Sequence, residues 1–249
     1  MVPDVAHDRV IQVGHLDLIE ASNFEALPQT GGQHPADAPR GAGNQNTLGR
    51  RFTKRFGRLA AIEGPVYRRY VGDILRVVAD TDTADYTVTG GDSDGTGVVS
   101  LNGNNVSFSN IEHIELDAAE GVAGADSLQI AGNGNDDNFT VNATADSGDG
   151  TAQVNSQADI AFFNFGDNSS LTLNASGGDD DVFVQHAANW KIATVNVNSG
   201  APTANDSFLL VGTADNDSFV YSPTAASEAT IALTSGALTT TYDLNGIEV

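Results

Sequence analysis

Aspartate is the residue most able to do chemistry in this chain, because it comes in clusters. Asp136-Asp137, Asp179-Asp180-Asp181 and Asp215-Asn216-Asp217 each stand beside a turn-forming segment. A hard cation such as Ca²⁺ is held by carboxylates, main-chain carbonyls and water. Glycine-rich turns expose carbonyls, so Asp136, Asp137, Asp179, Asp180, Asp181, Asp215 and Asp217 are the candidate metal ligands. Calcium is the candidate cofactor. The same residues have a second use. An Asp in a tight turn before a strand bonds its own main chain, and the apolar residue after it then enters the core.

Other chemistry is harder to assemble. His113 and His186 are isolated, with no H-x-x-x-H spacing for zinc. His113, between Ile111 and Ile114, is expected on the outer face of a strand. No cysteine is present, which excludes a thiolate site, a Cys nucleophile and a disulfide framework. There is no G-x-S-x-G elbow and no P-loop. Trp190 is the only Trp and adjoins Lys191, the one basic residue after position 76. That pair reads as a small ligand site or as a packed aromatic beside a surface lysine. No catalytic residue emerges.

The chain has 249 residues, 33 acidic and 11 basic, for a net charge of −22. Phosphate neutralisation needs a basic face, so nucleic acid is excluded as a partner. No run approaches the 18 apolar residues of a spanning helix. The charge is divided. Residues 1–76 hold 10 of the basic residues and 8 acids, whereas residues 77–249 hold one basic residue and 25 acids. Such a step marks a domain boundary. Residues 1–76 read as a mildly basic segment of low order, with a Pro/Gly/Gln/Asn-rich stretch over 28–50. Phe52, Phe56 and Leu59 follow at helical spacing among Arg and Lys, which suits a short basic amphipathic helix or a solvated linker. No secretory signal is visible at Met1, so an extracellular location implies an incomplete start, a wrong start or another export route.

Residues 77–249 repeat. Asp-x-apolar recurs at Asp126-Ser-Leu128, Asp137-Asn-Phe139, Asp181-Val-Phe183, Asp206-Ser-Phe208 and Asp217-Ser-Phe219. Leu128 to Phe139 and Phe208 to Phe219 are both 11 residues, and Leu171 to Phe183 is 12. Paired units beginning near 128, 171 and 208 step by 43 and 37, an imperfect repeat of roughly 40 with a sub-period near 11. Phe108-Ser-Asn-Ile-Glu112 and Leu244-Asn-Gly-Ile-Glu248 are a further matched pair, so the chain stops as a new copy of that element begins. Short alternating runs such as Val98–Leu101, Ile111–Leu116, Ile192–Val197 and Leu238–Tyr242 predict half-buried strands. They are separated by Gly/Asn/Asp turns. The class is all-β, with a parallel β-solenoid of imperfect repeats expected. Repeated antiparallel sandwich domains are the alternative.

Two resemblances add to this. Gly132-Asn-Gly-Asn-Asp-Asp137-Asn-Phe139 and Gly177-Gly178-Asp-Asp-Asp181-Val-Phe183 resemble the RTX-type calcium-binding nonapeptide of bacterial secreted toxins and proteases, which implies calcium at those acids. Neither copy is followed by another nine residues on. A broader resemblance rests on Val195 to Phe208, Val211 to Val220 and Tyr242 to Glu248. These segments look like the repeats of very large surface proteins of planctomycetes and related aquatic bacteria. That likeness implies an acidic, adhesin-like, extracellular or cell-surface repeat scaffold.

The expectation is a non-enzymatic structural or adhesive segment, calcium-stabilised at its turns. Cell-surface or matrix components, polysaccharide among them, are the expected partners. Open strand edges at both ends would favour self-association. A carbohydrate-active β-helix enzyme and a gene fragment without independent function are the rivals.

Overall fold

The computed structural model describes residues 72–79, 83–91, 95–118, 125–200 and 205–247, with the backbone of Val10–Gly14 and Asp17–Ile19. The basic stretch around Phe52, Phe56 and Leu59 and the segment 28–50 lie outside the described residues. Eighteen strands and no helix occur among the described residues, in two nine-stranded sheets.

The chain passes back and forth between these sheets. β1 (Val10–Gly14) and β2 (Asp17–Ile19) form an edge hairpin of the first sheet beside β3 (Ile74–Val78). The composition boundary at 76/77 therefore falls inside a strand. β4 (Asp85–Gly90) lies in the second sheet and continues there as a meander with β5 (Gly97–Leu101) and β6 (Asn104–Phe108). β7 (His113–Asp117) returns to the first sheet and β8 (Ser127–Ala131) to the second. β9 (Asn138–Ala143), β10 (Gly150–Val154) and β11 (Asp159–Phe163) form a first-sheet meander. β12 (Ser169–Asn174), β13 (Asp181–Gln185), β14 (Ile192–Asn198) and β15 (Ser207–Val211) then alternate between second and first sheets. β16 (Asp217–Ala225), β17 (Glu228–Ser235) and β18 (Leu238–Asn245) close the second sheet as a third meander.

Antiparallel pairing is confined to the edge hairpin and the three meanders. Every other pair is parallel: β1–β3–β7–β11 and β9–β13–β15 in the first sheet, β4–β8–β12–β14–β18 in the second. Both sheets are thus mixed.

Period-2 alternation drives the packing. Tyr86, Leu128, Leu171, Val195 and Tyr242 form one inward column across the second sheet. Phe139, Val182 and Phe208 form one in the first. Inward residues of both sheets merge into a single apolar cluster. The Tyr86 hydroxyl crosses it, donating to the Asp117 carbonyl of β7 at 2.7 Å. Burial, with the Asp117 charge adding, pushes that phenol far above its ordinary pKa.

The registers explain the sequence repeat. Leu128 pairs with Leu171, so the step of 43 residues is one strand to its parallel neighbour. The sub-period near 11 is the crossing between sheets, from Leu128 in β8 to Phe139 in β9. The step from Leu171 to Phe208 is not a neighbour relation, because those residues lie in different sheets. One motif also shifts. Phe139 pairs with Val182, not Phe183, and Val182 is the buried member. A slip of one residue exchanges faces, so Asp180-Asp181-Val182 is the true counterpart of Asp137-Asn138-Phe139.

Candidate functional site

The aspartates gather where strands enter the sheets. Asp137, Asp180 and Asp206 immediately precede β9, β13 and β15, and are 2%, 0% and 3% exposed. Each is fixed by its neighbour. The Asp137 N–H donates to Asp180 Oδ1 at 2.8 Å, and the Asp180 N–H donates to Asp206 Oδ1 at 2.8 Å. A second row runs the other way. Asp179 N–H donates to Asp136 Oδ1 at 2.9 Å, and the Ser207 hydroxyl donates to Asp181 Oδ1.

The second sheet repeats the arrangement. Ala84 N–H donates to buried Asp126 Oδ1 at 2.9 Å, and Asp126 N–H donates to Ser169 Oγ at 3.2 Å. The Ser127 hydroxyl donates to Asp85 Oδ1. An inner carboxylate or hydroxyl accepts from the preceding strand start, and an outer acid accepts from the following one. Main-chain N–H groups that no ladder can reach are satisfied in this way.

Asp137 and Asp217 also cap the turn before them. Asn133 N–H donates to Asp137 Oδ2 at 2.7 Å, and Thr213 N–H donates to Asp217 Oδ2 at 2.6 Å. The turn begins with Gly because a Cβ at Gly132 or Gly212 would lie 2.2 or 2.3 Å from that carboxylate oxygen. The other oxygens are taken too: Asn155 Nδ2 donates to Asp137 Oδ1 at 2.6 Å, and Thr213 Oγ1 donates to Asp217 Oδ1 at 3.0 Å.

At Asp137 and Asp217 both carboxylate oxygens thus accept hydrogen bonds from neighbouring groups. Among the described residues, no group of three or more His, Asp or Glu is placed to hold a metal. Asp136, Asp179 and Asp215 are exposed on the turns, and Asp181 is exposed at the first position of β13. Asp180 is distinctive. Burial raises its carboxyl to about pKa 6, against the Asp137 N–H; the charges of Asp206, Asp137 and Asp136 raise it further.

The remaining candidates are structural. Trp190 is 1% exposed and its indole N–H donates to the Asp149 carbonyl at 3.0 Å. It packs edge-on against His186, whose Nδ1 lies 2.8 Å from the Tyr242 hydroxyl. Burial lowers His186 to about pKa 4, so its ring is neutral. Lys191 faces solvent, 3.9 Å from Asp167. The Trp190–Lys191 pair is therefore a packed indole beside a surface lysine. His113 sits in the outward column with Ile74 and Asp159, yet it is only 2% exposed, and burial lowers its pKa.

Sequence reasoning did not select Asp126 and Asp206. Their signal was the lone Asp of Asp-Ser-Leu and Asp-Ser-Phe, which is a ladder member without a neighbouring acid. Neither a protein-family model, nor a curated protein, nor a solved structure matches this chain.

Proposed function

We propose that residues 72–247 are a two-sided β-solenoid with meander insertions, and that its work is structural: a repeat scaffold of a secreted or cell-surface protein that presents acidic outer faces. The observation that carries this reading is the ladder of strand-start carboxylates. Each joins one coil to the next across 42 or 43 residues, and across 26 at the last step. Such contacts link nearest neighbours only, which is how repeat scaffolds are stabilised. The aspartates are then turn and ladder formers, and the acidic surface is the binding face for matrix components. The likeness of Val195 to Phe208, Val211 to Val220 and Tyr242 to Glu248 to surface-protein repeats supports the location.

Incubating the full chain with a panel of neutral and acidic polysaccharides separates this from the enzyme reading. Retention on immobilised polysaccharide without release of reducing ends is expected. Release of reducing ends would overturn the scaffold assignment.

A further inference from the structure

The two sheets do not end level. Tyr242 of β18 lies opposite Phe208 of β15, with ring centroids 5.9 Å apart. β15 is the last strand of the first sheet, but the second sheet continues past β18 with β17 and β16. Tyr221 of β16 pairs with Ile231, which pairs with Tyr242, so Tyr221 and Ile231 continue the inward column beyond the edge of the facing sheet. A two-strand overhang results. Phe208, Tyr221, Ile231, Leu244 and Ile247 line a cleft of about 200 Å³ beneath it.

This end holds the exposed apolar surface. Leu209, Phe219, Val220 and Tyr221 are 57%, 50%, 56% and 49% exposed, and all lie on the edge strands β15 and β16. Edge strands with apolar faces are templates for further pairing. The two edge strands carry little charge, and Glu228 is the one charged residue among those lining the cleft. Ser207–Val211 has no charged side chain, and β16 has none after Asp217, in a chain of net charge −22. The occupant must supply an uncharged strand edge beside β15 and an apolar face two strands wide against Tyr221 and Ile231. The overhang of a second copy is such an element.

We infer that two copies associate through this end about a two-fold axis. The overhang of each takes the place missing from the first sheet of the other: β16 of one pairs with β15 of its partner, and the two cleft linings close on each other. The contact is self-complementary and stops at two copies. It goes beyond the scaffold reading and rests only on the sheet edges.

Sedimentation velocity of the full chain over a concentration series, at low and high NaCl, tests it. A reversible monomer–dimer equilibrium is expected, stronger at high salt because the charges outside the contact repel. Tyr221→Lys and Val220→Lys should each weaken the dimer at least about tenfold, with unchanged melting at concentrations where the monomer dominates. Two half-exposed positions guard against one variant failing to fold. Three results would overturn the proposal: a monomer under every condition, an open-ended series of larger oligomers, or a dimer indifferent to both substitutions.

Discussion

The main-chain N–H of Asp137 is bonded to the Asp180 carboxylate at 2.8 Å, across 43 residues of sequence. Asp180 has no exposed surface, and the nearby charges that act on it are the carboxylates of Asp206, Asp137 and Asp136. The first prediction follows from that environment. Folded Asp180 keeps its proton to about pH 6, whereas unfolded it releases the proton near 3.8. Between these values the folded state binds more protons, so stability falls as pH rises from 3.8 to about 6 and stays lower above. The gap corresponds to about 3 kcal/mol. Asp180→Asn keeps an oxygen acceptor and removes the titration. Its stability relative to the native chain, from denaturant melts at successive pH values, should grow over that window and then level. A difference that does not vary with pH would contradict the account.

How much of this was legible in the sequence can be judged residue by residue. The all-β class was, because alternation at Ile192–Val197 and Ile111–Leu116 admits nothing else. The repeat of 43 was also legible, since Leu128 and Leu171 really are neighbours. The mixed pairing was not. Three meanders interrupt the crossings, and the Asn102-Gly103 turn that joins β5 to β6 in one of them, with both residues at positive φ, is a local signal of an antiparallel pair. The clustered acids pointed to the right turns, but the N–H groups that the Asp137 carboxylate binds were not legible. A carboxylate that binds cations and one that binds N–H groups look alike until the neighbouring strand is placed.

Gly132 and Gly134 stand two apart in one turn and should respond differently to alanine. A Cβ at Gly132 meets Asp137 Oδ2 at 2.2 Å, whereas one at Gly134 meets nothing within 4 Å. Gly132→Ala should cost roughly 1–3 kcal/mol by displacing the cap from the Asn133 N–H. Gly134→Ala should fall within about 0.5 kcal/mol of the native chain. Thermal melts of both variants make the comparison.

Tyr86→Phe removes the hydroxyl that joins the second sheet to the Asp117 carbonyl. The loss should be about 1 kcal/mol, with the β-sheet circular dichroism unchanged.

Calcium and magnesium should act alike. With the inner carboxylates engaged by N–H groups, divalent cations only screen the net charge of −22. Melting temperature should then rise modestly and equally with either ion. A large rise specific to calcium would place an ion on the exposed acids Asp136, Asp179, Asp181 or Asp215.

The central claim is that neighbouring coils are joined by equivalent ladders and are therefore removable one at a time. Deleting residues 138–180 tests it most directly. The cut joins Asp137 to Asp181, takes out β9 to β12, and lets β7 take the place of β9 beside β13 and β8 the place of β12 beside β14. The account predicts a β-sheet spectrum and a single cooperative melt for the shortened chain. Loss of cooperative melting, with a disordered spectrum, would mean that the two sheets form one indivisible core, and would contradict it.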